Sequence, residues 1–330
     1  MPISENMTDK SIQVETSKTT LLLGAINMDL LIETERLARP GETFVCDRLY
    51  TSGGGKAGNQ SVAAARFAGG TGGAVKMFGR VGDDAFGNEL RGFMSEQGVD
   101  MSTVTTDTEI ETGVAIIFID LTGENFVHAI YGGNGKCGDV EADATIEAMS
   151  DAGVLLVQQE IPLECSLRAM VAAQKRGVSV VLDPAPAIST DEVPDGFYGY
   201  ADIVTPNAIE AEALSGVAIS DVGSAERAAD KIRELHGCAC VIVTMAGDGV
   251  FVSSDGLRGH MPPFEVDAVA TVAAGDAFAG VLGRALCEGN GLEDAIRLAM
   301  AAGALCVSRP GTQSAMPYRD EVLELVASAT

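Results

Sequence analysis

Short uninterrupted apolar runs alternate with longer alanine-rich or amphipathic segments along most of the chain. Residues 21–26 form an apolar run closed by Asn27 and predict a buried strand. Residues 60–67 are alanine-rich and predict a helix that stops at Gly69 and Gly70. The same reading gives strands at 75–78, 154–158, 179–182, 203–204 and 241–244, and helices at 84–97, 165–176 and 225–236. Short, mostly apolar strands alternating with helices that stop at glycine predict parallel βαβ units covered on both faces. The expected class is α/β, a three-layer Rossmann-like domain around a mostly parallel central sheet.

Two stretches break this rhythm. Residues 42–51 and 112–131 alternate like strands, with no helix between their halves, and L-T-G-E at 121–124 has the composition of a hairpin turn. They are expected to form a small β-sheet lid, with strands from about 30–52 and 111–131; the alternative is a pair of antiparallel edge strands on the main sheet. Residues 1–19 are polar and are expected to be a flexible tail, leaving one domain over 20–330.

Composition narrows the partners. Hydrophobic residues make up 46% of the 330 positions, enough for a large core, but aromatics are 5% and tryptophan is absent, so aliphatic side chains must fill it. The formal charge of −25 and the lack of a polybasic run exclude nucleic acid and anionic membrane as expected partners. No apolar stretch has transmembrane length, and the tail lacks a secretory apolar region, which points to the cytoplasm. Seven irregularly spaced cysteines do not form a disulfide framework. The close pair Cys238 and Cys240 is expected to pack in the interior rather than bind metal.

Candidate chemistry gathers at strand ends. In T-V-A-A-G-D-A-F, residues 271–278, small residues precede a helix predicted to run to Cys287. Backbone N–H groups at such a helix start can hold an anion, and Asp276 beside them can take a proton from an attacking hydroxyl; a plain helix-capping aspartate is the competing reading. The run S-G-G-G-K-A-G-N at 52–59 lacks the spacing of a Walker-type phosphate loop. It is either a turn or a loop that closes on a small polar ligand. Asn27, Asp29, Glu160 and Asn207 each follow a predicted strand, at the edge where open parallel sheets bind ligands.

These residues stand in a pattern that resembles the ribokinase-like (PfkB) family of sugar kinases. The resemblance runs from about Thr20 to the end. Its motifs are G-A-I-N-M-D (24–29), P-G-E-T (40–43), G-G-K-A-G-N-Q (54–60), G-D-D (82–84), T-G-V-A (112–115), D-P-A-P-A (183–187), T-P-N (205–207) with Glu210, T-M-A-G-D-G (244–249) and A-A-G-D (273–276). It implies a ribokinase-like fold, ATP as phosphoryl donor and Mg2+ as cofactor. Asp276 is then the catalytic base, with Gly275 and Ala274 at the anion hole. Asn27, Asp29, Gly55, Lys56, Asn59 and Glu160 are expected to hold the sugar. Asn207, Thr244, Gly247, Gly249, Gly275 and Met300 are expected around the nucleotide, and Glu210 near magnesium through water. A homodimer through the lid is implied as well. The paired Asn27 and Asp29 with Glu160 suit a furanose, so D-ribose going to D-ribose 5-phosphate is the specific expectation; deoxyribose, a ketose or a nucleoside is the alternative, and a non-catalytic binding relative is the rival of a different class.

The chain departs from the family pattern in places. Ala57 and Gly58 are exchanged relative to the usual G-G-K-G-A-N, and Ala57 would be strained if its φ had to be positive. Ala246 stands where glycine is usual. Ala270 and Ala315 replace the aspartate and serine that supply side-chain ligands to the family's monovalent-cation site, leaving the backbone of Val272, Cys306, Arg309 and Gly311. Potassium activation is therefore expected to be weak or lost, unless Asp267 or Ser314 compensates.

Overall fold

The computed structural model describes residues 18–46, 48–69, 74–120 and 125–329. Its strands from the first half are β1 (Thr19–Leu23), β2 (Asn27–Glu33), β3 (Arg48–Gly54), β4 (Val75–Phe78), β5 (Arg80–Gly82), β6 (Val99–Asp100), β7 (Thr105–Asp107), β8 (Gly113–Ile119) and β9 (Asn125–Ile130). Those from the second half are β10 (Ala152–Val157), β11 (Ser179–Leu182), β12 (Ile203–Val204), β13 (Cys240–Thr244), β14 (Val250–Ser253) and β15 (Arg258–Met261). Among the described residues they form a nine-stranded sheet in the order β15-β14-β13-β12-β11-β10-β1-β4-β6, a separate four-stranded sheet in the order β3-β2-β8-β9, and a short β5-β7 pair.

The apolar runs explain the layers. In β1, Leu22 faces one core while Leu21 and Leu23 face the other; in β10, Val154 and Leu156 oppose Leu155 and Val157 in the same way. A strand apolar at every position has two faces to bury, and helices cover both. Helices α1 (Lys56–Ala68), α7 (Ala274–Cys287) and α8 (Leu292–Val307) contribute to the first core. Helices α3 (Asp139–Glu147), α4 (Leu163–Arg176) and α6 (Val222–His236) contribute to the second. The remaining helices are α2 (Ala85–Glu96), α5 (Ala208–Ser215) and α9 (Arg319–Ser328). The sheet is parallel from β6 to β13 and turns antiparallel only at β14 and β15. No helix among the described residues is long and apolar enough to cross a membrane.

The small sheet is distinct from the main one, as the broken rhythm predicts, but several boundaries move. The first strand ends at Leu23 rather than Ile26, because Asn134 takes both backbone polar groups of Ile26: its Oδ1 accepts from Ile26 N at 2.9 Å and its Nδ2 donates to Ile26 O at 3.1 Å. Asn27 thus opens β2 of the lid instead of closing β1. The lid's second strand starts at Arg48, not Glu42, and takes in Gly53 and Gly54, so that part of the glycine run is strand rather than loop. Helix α1 starts at Lys56, four positions before the alanine-rich run. The turn at 121–124 and most of the tail lie outside the described residues, and β1 begins at Thr19, inside the expected tail. Helices α3, α5, α8 and α9 and strands β5, β6, β7, β14 and β15 were not read from the sequence.

The exchange of Ala57 and Gly58 in the glycine run is resolved by the backbone. The positive φ, +78°, belongs to Gly55; Ala57 is helical and fully buried, so it carries no strain. Gly58 makes room instead for Gln313, whose Nε2 would stand 2.9 Å from an added Cβ.

Candidate active site

The first turn of α1 presents three side chains to one place. Lys56 begins the helix, and its backbone N–H, unpaired within the helix, donates to Glu160 Oε2 at 2.8 Å. One turn later Asn59 Nδ2 donates to Asp276 Oδ2 at 2.8 Å, and Gln60 Nε2 reaches Asp276 Oδ1 at 3.3 Å. Spacings of three and four residues put Lys56, Asn59 and Gln60 on one helix face. The helix can enter here only because Gly55 is bare: a Cβ would lie 2.7 Å from Ala25 O and 2.8 Å from Asn27 N.

Asp276 comes from the opposite side, on the first turn of α7. Ala273, with φ +62°, turns the chain into that helix, and the N–H groups of Ala274, Gly275 and Asp276 lack intrahelical acceptors. Burial raises the Asp276 carboxyl above its ordinary range, against the pull of Lys56 and the bonds from Asn59 and Gln60. Asn59 keeps one buried atom, Oδ1, without a partner, an acceptor left for a ligand hydroxyl.

The lid supplies the other wall. Asn27 Oδ1 accepts from Asn134 Nδ2 at 2.7 Å, which fixes the orientation of the Asn27 amide. Asp29 sits over Gly54, where an added Cβ would stand 2.2 Å from both carboxylate oxygens. Burial, then the charges of Glu160 and Asp276, push Asp29 up to about 7.

Beyond Lys56 the site opens into a cavity of about 50 Å³ lined by Lys56, Asp183, Thr205, Asn207, Glu210, Thr244, Gly275 and Phe278. Here the N-x-x-E spacing is a reciprocal helix cap. Asn207 Oδ1 accepts from Glu210 N at 3.0 Å, while Glu210 Oε2 accepts from Asn207 N at 2.8 Å and Oε1 from Asn207 Nδ2 at 2.8 Å. The cap points the Glu210 carboxylate into the cavity. Asp183 lies 3.8 Å from Lys56 Nζ, and burial raises it to about 7 despite that ammonium. Burial alone would lower Lys56; Asp183, Asp276, Glu160 and Glu210 outweigh it and hold the ammonium above its ordinary range. Carboxylates outnumber cations here, but among the described residues no three acidic, histidine or cysteine side chains are placed to ligate a metal ion directly, so a cation such as Mg2+ would meet Glu210 and Asp183 only through its waters.

The other expected positions fall around this centre. Thr244 pairs with Asn207 as an isolated parallel bridge, and Gly247 and Gly249 lie in and after the short turn that follows. Ala246 in that turn has φ +48°, which explains the glycine usual there. Met300 is a buried core side chain of α8 and does not line the cavity. Ala270 N donates to Val307 O at 3.0 Å, Val272 O accepts from Cys306 Sγ at 3.8 Å, and the Arg309 side chain is bound to Glu321. Ala315 is buried and Gly311 has φ +111°. Asp267 and Ser314 are both exposed.

Sequence reasoning assigned no role to Asn134, Asp183, Gln60 or Gln158. A glycine on each side of Asn134 was the one local signal; the other three declare themselves only through contacts across the fold.

A buried carboxylate beside anion-binding amides, with a lysine and an acidic cavity next to it, at the strand ends of an open α/β sheet, defines a small-molecule kinase. Residues 18–319 match the pfkB family carbohydrate kinases, and the chain belongs to that family. It is 36% identical over 313 residues to the ribokinase of Haemophilus influenzae, covering 94% of this chain and 99% of that one. The ribokinase of Thermotoga maritima has a similar structure, with a TM-score of 0.82 at 32% identity, covering 94% of this chain and 99% of that one. The Arabidopsis thaliana ribokinase complexed with ribose and ATP gives a TM-score of 0.84 at 28% identity over the same shares.

The raised carboxylates have a cost in stability that depends on pH. Asp29 has an ordinary value near 3.8 in the unfolded chain and about 7 when folded, so its burial costs nothing below pH 4 and a full charge above pH 7, about 4 kcal/mol at most. Asp29→Asn cannot ionise. It is expected to melt several degrees above the parent protein at pH 8, with the gap shrinking at pH 5. Thermal melts at the two pH values measure this, and a gap independent of pH would contradict the assignment.

Proposed function

We propose that this sugar kinase transfers the γ-phosphoryl group of ATP to the 5-hydroxyl of D-ribose, giving D-ribose 5-phosphate and ADP. The observation that carries the reading is the Asp276 carboxylate, held by Asn59 and Gln60 at the start of α7 with Lys56 beside it. The ribokinases it resembles, one of them complexed with ribose and ATP, support the choice of sugar.

In the proposed reaction the ribose hydroxyl oxygen attacks the γ-phosphorus, its proton passes to Asp276, and the bond to the β,γ-bridging oxygen breaks. A carboxylate whose proton affinity is raised by burial is the stronger base at neutral pH. Backbone amides of Ala274 and Gly275 and the Lys56 ammonium offset charge on the moving phosphoryl group. Asn27, Asp29, Asn59, Gly55 and Glu160 hold the sugar hydroxyls. Asn207, Thr244, Gly247 and Gly249 serve the nucleotide; Glu210 would hold Mg2+ through water, and the ion would supply charge neutralisation for the phosphates. The lid keeps water from the phosphoryl group.

Asp276→Asn is expected to abolish turnover while leaving sugar binding by calorimetry intact. ADP release should be fastest with ribose among ribose, deoxyribose, ketoses and nucleosides. Turnover surviving in the asparagine variant would remove the proposed base, and preference for another acceptor would replace ribose.

Ala270 and Ala315 present no side-chain oxygen, so the monovalent-cation site implied by the family is incomplete in this chain. Activity is expected to respond little when KCl replaces a salt of a large inert cation; a many-fold rise with KCl would overturn this. We also infer a homodimer through the lid, whose Leu49, Val127 and Ile130 are 62%, 56% and 55% exposed. Light scattering on the purified protein should give twice the chain mass, and a dilution-independent monomer would refute it.

A further inference from the structure

Gln60 is fully buried yet stands among charges. Its Nε2 donates to two carboxylates, Asp183 Oδ2 at 2.9 Å and Asp276 Oδ1 at 3.3 Å. Its Oε1 accepts from Nε2 of Gln158, also fully buried, at 2.6 Å. The direction of the Gln60 amide is therefore set from behind. If it turned over, an oxygen would face two carboxylates and an NH2 would face another NH2. Gln158 in turn occupies the space left by Gly24, where an added Cβ would come within 2.1 Å of its Oε1.

The two carboxylates serve different halves of the site. Asp276 is bound to Asn59, on the acceptor side, and Asp183 lines the cavity with Thr244 and Glu210. An amide with two hydrogens is the one neutral side chain that can donate to both at once. We propose that Gln60 is a positioning residue for phosphoryl transfer, and that Gln158 orients it so that one NH2 group fixes Asp276 and Asp183 relative to each other. Neither glutamine is assigned to substrate. The inference rests on the reading of Asp276 as the base and adds what holds that base in line.

The test uses the full-length enzyme with ribose and ATP. Gln60→Met removes both donors at similar volume. It is expected to lower kcat by about 10- to 100-fold, the scale of a small misplacement of reacting groups, while the sugar KM and its calorimetric Kd stay within about 3-fold. Gln158→Met leaves the donors in place but unaligned, and should lower kcat less. The double variant should be no slower than Gln60→Met alone, because the two residues act through one bond.

An unchanged kcat in Gln60→Met, a loss confined to KM, or losses that multiply in the double variant would overturn the proposal. If Gln60→Met does not fold, Gln158→Met decides alone: a lower kcat with unchanged sugar Kd supports the relay, and an unchanged kcat refutes it. Asp276→Asn separates the two levels. Should it stay active, the assignment of the base fails; should it be dead while Gln60→Met is fully active, only the positioning role fails.

Discussion

Helix α7 lies so close to α1 that a Cβ at Gly280 would stand 2.3 Å from the carbonyl oxygen of Gln60 and 2.9 Å from Ala63 Cβ. Asp276 is one turn before Gly280 and so shares its face. The contact that brings the helices together also delivers the Asp276 carboxylate to Asn59 and Gln60. The reach of an aspartate side chain is short, so a wider spacing, such as a larger residue at 280 would impose, separates these partners. Packing of the first core and geometry of the site are in this sense one constraint: Phe278, Ala279 and Val281 of α7 are buried in the same cluster as Val62, Ala63 and Ala64 of α1.

What the close packing encloses is an unbalanced set of charges. Asp29, Glu160, Asp183, Glu210 and Asp276 are all raised, with burial the largest cause for each, and Lys56 is the ammonium that answers all of them but Asp29. Such a centre opposes folding and favours ligands that bring positive charge or hydroxyl donors. A magnesium-bearing nucleotide and a polyol meet both needs. The overall charge of −25 does not attract a nucleotide, so any attraction for phosphates must be local, from helix-start amides and Lys56.

The sequence was legible where the signal is local. The runs Val75–Phe78 and Ser179–Leu182 coincide with strands β4 and β11 because burial on both faces leaves apolar residues at all but one position of each, the half-buried Lys76 and Ser179. Asn207 was legible as a polar residue after a predicted strand and Glu210 through the family motif, but the helix they cap reciprocally was not. The lid was readable from its alternation, yet its edges were not: Asn27 joins β2 because Asn134, far along the chain, withdraws Ile26 from β1. Gln60 looked like one more position of an alanine-rich helix, and Gln158 like the end of an apolar strand. Nothing next to either residue shows that they bond to each other and, through Gln60, to two carboxylates.

The same distinction changes what the glycines mean. A glycine-rich run before a helix suggests backbone freedom, and Gly55, at φ +78°, uses it. Several other glycines near the site do something else. An added Cβ at Gly54 would strike the Asp29 carboxylate, at Gly113 the amides of Asn134 and Asn27, at Gly24 the Gln158 amide, and at Gly53 the Gln313 amide. Each gives up a side chain so that a polar one from elsewhere can lie against bare backbone. A polar group buried in this way is held by shape as well as by hydrogen bonds, and its direction is fixed before substrate arrives. Fixed directions are what phosphoryl transfer asks of a protein, since the chemistry depends on alignment and charge more than on any reactive side chain. The glycines that carry the family resemblance are thus part of the site's geometry through the volume they leave empty.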